Sequence, residues 1–72
     1  MKNNPIEVNP NKVGGIPLFS GTRVPIKNLF DYIEGGETLE DFLDGFPPVT
    51  LEQAVAVLEM AERSLIREAI RN

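Results

Sequence analysis

Three of the seven cationic side chains in the sequence, Arg63, Arg67 and Arg71, fall at i, i+4 and i+8. On a helix this spacing makes a single row. Guanidinium groups in a row can hold phosphates or carboxylates through paired N–H donors. The same row also suits the negative end of a helix dipole as a solvated face. Glu59 stands four residues before Arg63, the favoured order for a helix pair. A second group is Gly21-Thr22-Arg23-Val24-Pro25. As a turn, it needs Gly21 at positive φ, Thr22 bonded to local backbone, and Pro25 opening a helix. Arg23 then pairs with a carboxylate or carbonyls, or it meets a phosphate or a partner's acidic pocket. Lys12 and Lys27, with Arg23, are the candidate phosphate contacts. Gln53 is the one side chain early in its helix suited to reading adenine, beside the unhelpful Glu52 and Glu59.

Other chemistry has little material. The sequence has no His and no Cys, so Ser20, Ser64 and the threonines lack the usual activating base. No glycine-rich phosphate loop with a Lys is present. Glu34, Glu37, Glu40, Asp41 and Asp44 are dense but do not follow the spacing of a calcium loop; they read as a solvated acidic face. The sequence therefore predicts a protein that is not an enzyme, takes no small-molecule substrate, and needs no metal or cofactor.

The chain has 72 residues, which argues for a single domain over 1–72. A domain this size buries only about 60% of its unfolded surface, and small scaffolds commonly rely on disulfides, metals or partners. Without Cys or His, oligomerisation is the remaining staple, so a homodimer or a complex is expected. A net charge of −4 opposes nonspecific nucleic-acid affinity and favours a partner with a basic surface. No apolar run approaches the roughly 20 residues needed to cross a bilayer. Met1-Lys2-Asn3-Asn4-Pro5 lacks the apolar core of a secretory signal. A cytoplasmic location is expected.

The elements that position these groups follow from periodicity. Residues 1–25 hold four of the six prolines and three of the six glycines. Ile6-Glu7-Val8 and Ile16-Pro17-Leu18 alternate as short strands, joined by a turn-rich loop into a hairpin within or between chains. A first helix is predicted over Pro25–Glu34, with Ile26, Leu29, Phe30 and Ile33 on one face and Gly35-Gly36 as its left-handed cap. Thr38-Leu39-Glu40-Asp41 and Thr50-Leu51-Glu52-Gln53 are capping-box patterns opening two more helices, separated by Pro47-Pro48. The third helix can run to about Arg71, with Leu51, Ala54, Val55, Leu58, Ala61 and Leu65 inward. Val57, Met60, Ile66 and Ile70 lie partly off that stripe. Two helices of about ten residues cannot cover it, so Leu65–Ile70 should project with exposed apolar side chains, a sign of an interface. Phe30, Phe42 and Phe46 have core spacing; Phe19 and Tyr32 can serve the core or a partner. The short link between the last two helices gives a mainly α fold: a three-helix, homeodomain-like helix-turn-helix bundle (residues 26–72) behind an N-terminal β-hairpin.

Several of these pieces carry a family resemblance. Gly14-Gly15-Ile16-Pro17, Ser20-Gly21-Thr22-Arg23-Val24-Pro25-Ile26, Tyr32, Glu34-Gly35-Gly36-Glu37, Phe42-Leu43-Asp44-Gly45-Phe46-Pro47 and Thr50-Leu51-Glu52-Gln53-Ala54 occur in that order. The chain resembles, over about residues 6–63, the small bacterial family catalogued as domain of unknown function 433. The resemblance implies a helix-turn-helix fold, often dimeric, similar to VapB-type antitoxins encoded beside a small toxin with a PIN-like nuclease fold. By that analogy the protein neutralises its toxin and the pair represses its own promoter. Arg63, Ile66, Arg67, Ile70 and Arg71 are then the toxin-contacting residues, with an Arg entering the toxin's acidic metal-binding centre. A stand-alone DNA-binding regulator and an oligomerising adaptor are the alternatives.

Overall fold

The computed structural model describes residues 4–71, with side chains as far as Ile70. Strand β1 (Ile6–Val8) leads through a tight turn at Val13–Gly15 into β2 (Pro17–Phe19). Helices α1 (Ile26–Glu34), α2 (Leu39–Gly45) and α3 (Leu51–Arg71) follow. The hairpin pairs within the chain and is antiparallel: Ile6 lies opposite Phe19, Glu7 opposite Leu18 and Val8 opposite Pro17. The second strand sits one residue later than the alternation of Ile16-Pro17-Leu18 predicts. The cause is on its other side, where Phe19 N–H donates to the Val24 carbonyl at 2.9 Å and a bridge pairs Leu18 with Pro25. Leu18 and Phe19 are both fully buried as a result.

That bridge also moves the start of α1. Pro25 is not the first helical residue but the cap, with extended backbone at ψ 139°, because it is still paired to Leu18. At the far end Glu37 N–H donates to the Tyr32 carbonyl (2.9 Å) and Gly36 N–H to that of Ile33 (3.0 Å). This double closure needs a left-handed residue after the cap, and Gly36 supplies it at φ 88°. Gly35 is the cap itself, at φ −81°, so only one of the two glycines is left-handed. Both capping boxes form. Asp41 N–H donates to Thr38 Oγ1 (3.0 Å) while Thr38 N–H donates to Asp41 Oδ2 (3.2 Å). Gln53 N–H and Thr50 N–H make the matching pair with Thr50 Oγ1 and Gln53 Oε1, each at 3.1 Å.

The core is one cluster of Phe19, Leu29, Phe42, Val49, Ala54 and Val57. Phe19 therefore belongs to the core. Tyr32 closes its edge, standing edge-on to Phe42 and Phe46 at centroid distances of 5.6 and 5.7 Å. Helix α3 is turned relative to the predicted stripe. Ala54 and Val57 are buried and Leu58 and Ala61 half-buried, whereas Leu51 and Val55 are exposed. Gln53 is half-buried on the same helix, its Nε2 donating to the Ser20 carbonyl at 2.9 Å. Leu65 lies one turn past Ala61 on the inward face, yet is 70% exposed, since the shorter helices end before it.

Candidate functional site

The Gly21–Val24 turn is held from three directions. Thr22 N–H and Oγ1–H both donate to the Phe19 carbonyl, at 3.0 and 2.8 Å, and Oγ1 accepts from Val24 N–H at 3.0 Å. Gly21 takes φ 77°, as the third position of such a turn demands. Its N–H donates to Glu7 Oε1 at 2.6 Å. That bond, then the Lys12 ammonium on the other oxygen at 3.3 Å, holds the Glu7 carboxyl below the usual carboxylate range. Arg23 is left exposed at the outer side of the turn, with no ion pair or hydrogen bond among the described residues.

The other candidate phosphate contacts are engaged. Lys12 is bound to Glu7. Lys27 donates to both carboxylate oxygens of Asp31 at 2.8 and 3.0 Å, which raises its pKa above the usual lysine value. Gln53 is committed more fully. Its Oε1 accepts from Thr50 N–H, and its Nε2 donates to the Ser20 carbonyl at 2.9 Å, across 33 residues of sequence. Placing it as an adenine reader overlooked this tie: both ends of the amide are occupied, and the side chain is half-buried. The acids Glu34, Glu37, Glu40, Asp41 and Asp44 are all exposed. Backbone and hydroxyl bonds from Thr38 hold Asp41 below its ordinary value.

The last turns of α3 gather a different set. Leu65, Ile66 and Ile70 are 70%, 55% and 77% exposed. Glu62, Arg63, Ile66, Arg67 and Ile70 line one shallow apolar depression along the helix. Arg63 and Arg67 are exposed and make no ion pair among the described residues; the expected bond between Glu59 and Arg63 is not formed. The Arg71 side chain lies outside the described residues. The structure thus brings together Arg63, Ile66, Arg67 and Ile70, and leaves Arg23, Lys12, Lys27 and Gln53 elsewhere. Periodicity found the first set because its apolar residues outrun the body. It missed Glu7 and the Ser20 carbonyl, whose roles depend on contacts between distant segments.

Among the described residues no three His, Cys, Asp or Glu side chains are placed to share a metal ion, and no helix is long and apolar enough to cross a membrane. Residues 6–61 match the family described as "Protein of unknown function (DUF433)". The chain is also similar to a solved structure, described as the crystal structure of a DUF433 member protein from Anabaena variabilis ATCC 29413 at 2.00 Å resolution. The two share 28% identity and a TM-score of 0.71, over 96% of this chain and 70% of that one. No curated protein matches the chain.

Proposed function

This chain belongs to the DUF433 family, and from that premise we propose that it is a non-enzymatic, antitoxin-like binding protein that neutralises a small PIN-like nuclease. One observation carries the reading. Beyond Ala61, α3 presents Ile66 and Ile70 to solvent beside the guanidinium groups of Arg63 and Arg67, which have no ion pair among the described residues. An amphipathic helix of this kind binds by laying its apolar face in a groove. A nuclease's acidic metal-binding centre is a natural seat for a guanidinium, which makes paired, charge-assisted bonds to carboxylates. The inserted charge competes with the metal ion for the same oxygens.

A stand-alone DNA-binding role has less support, because Lys12 and Lys27 are bound to acids and Gln53 is tied at both ends. Of that set Arg23 has no partner among the described residues.

The test is co-expression with a PIN-like nuclease toxin, scored by growth and by co-purification. The double variant Arg63→Ala/Arg67→Ala is expected to lose affinity by about 30-fold or more, the usual scale for breaking a desolvated charge pair, and to lose protection. Circular dichroism should stay unchanged, since neither side chain supports the body. Full protection by the double variant overturns the proposal.

A further inference from the structure

A second surface is left over on the opposite side of the charge balance. Between the start of β2 and α1 lies an apolar groove of about 510 Å³, floored by Ile16, Pro17, Pro25, Ile26 and Phe30. Ile16 is 41% exposed there. The rim carries Lys27, Asp31 and Glu34. Lys27 is consumed by Asp31, and Glu34 makes no ion pair or hydrogen bond among the described residues. The rim is therefore net negative.

The chain's charge divides in the same sense. Of the total of −4, residues 1–61 carry −5, with nine acids against four bases, and residues 62–72 carry +1, with three Arg against two Glu. An acidic body and a cationic, apolar helix end thus occur in one molecule. They do not satisfy each other within the chain: α3 is continuous to Arg71, and Ile66 and Ile70 stay exposed.

We infer that, without a bound partner, the Arg- and Ile-bearing end of α3 lies in the β2–α1 groove of a second copy, giving a reciprocal dimer. Ile66 and Ile70 fill the apolar floor, and Arg63 and Arg67 face the acidic rim. Two equal contacts related by a two-fold axis close the assembly, and charge complementarity fixes the register. The inference does not require the antitoxin reading. If both hold, the second copy and the toxin compete for one helix end.

The experiment is light scattering coupled to size-exclusion chromatography on the isolated full chain, over a concentration series. The wild type is expected to be a dimer. Ile70→Asp, on the helix, and Ile16→Asp, in the groove, should each yield a monomer that still unfolds cooperatively, with helicity reduced only by the released end of α3 and a melting temperature that no longer depends on protein concentration. Glu34→Arg should weaken association at least tenfold, and adding Arg63→Glu/Arg67→Glu in the same chain should restore it. A monomeric wild type overturns the inference and leaves the helix end free for another protein. So does a dimer that responds to Ile70→Asp but not to Ile16→Asp and Glu34→Arg, because its helices then pair with each other and not with the groove. Neither result touches protection against a toxin, which is scored separately.

Discussion

Gln53 does two jobs that a glutamate could not combine. Its oxygen accepts from Thr50 N–H, and its amide nitrogen donates to the Ser20 carbonyl. A capping box works with either Glu or Gln in that place, so the first job does not discriminate between them. The second does, because a carboxylate brought against a carbonyl has nothing to donate. Gln53→Ala should cost about 1–2 kcal/mol in urea unfolding, one cap and one hydrogen bond. Gln53→Glu should recover little of it. A glutamate variant as stable as the parent would mean that the contact to Ser20 contributes nothing. The Thr-Leu-Glu-Gln pattern was legible as a helix start from spacing alone. That its Gln also fastens α3 to the hairpin was not, because the acceptor is a backbone carbonyl with no residue-type signature.

At the scale of elements, what sequence could read was local. Both capping boxes form at Thr38 and Thr50, and Gly36 closes α1 where a glycine pair marked the stop. The rotation of α3 was not local. Leu51 and Val55 read as inward with Ala54 by a 3.6-residue stripe, but Ala54 is buried beside Val57 while Leu51 and Val55 are exposed, a choice made by contacts with distant segments. The projecting end was legible for a different reason: counting turns shows that α3, about 32 Å at 1.5 Å per residue, outruns helices of nine and seven residues. A helical end with no tertiary contact has little to hold it, since short helices are marginal in water. Amide exchange should therefore divide α3. Amides from Val57 to Ala61 should be protected, and those from Leu65 onward should exchange orders of magnitude faster in the dilute, unpartnered chain. Partner binding should slow the second group selectively. Uniform protection along a free, monomeric α3 would contradict the division.

For the molecule as a whole, acid should be the weak side. Glu7 and Asp41 both hold their protons less tightly in the folded state, the first through Gly21 N–H and Lys12, the second through Thr38. The unfolded chain takes up those protons first as pH falls. Their contribution is complete above the ordinary carboxylate range of about pH 4–4.5, and it drains away as pH drops through the lowered folded values. The urea midpoint should fall between pH 6 and pH 3, and Glu7→Gln should reduce the fall. A midpoint that holds or rises over that interval would refute the assignment. Glu7 matters at this scale because it joins the hairpin to the Gly21 turn. Nothing in a lone Glu between Ile6 and Val8 marked that duty, since β1 and the turn meet only in the folded chain.

Tyr32 is the one tyrosine, and the chain has no tryptophan. Its ring stands edge-on to Phe42 and Phe46, and its hydroxyl lies beside Gly45, where an added methyl would come within 3.1 Å. Fluorescence excited beyond the phenylalanine band is consequently a single-site signal, reading the meeting of α1 and α2. It is silent about the end of α3, which carries no aromatic side chain. Ordering of that end by a partner will register in far-ultraviolet ellipticity while the tyrosine band stays still. A discrepancy between the two optical channels is thus a built-in way to tell a helix being gripped from a core being rebuilt.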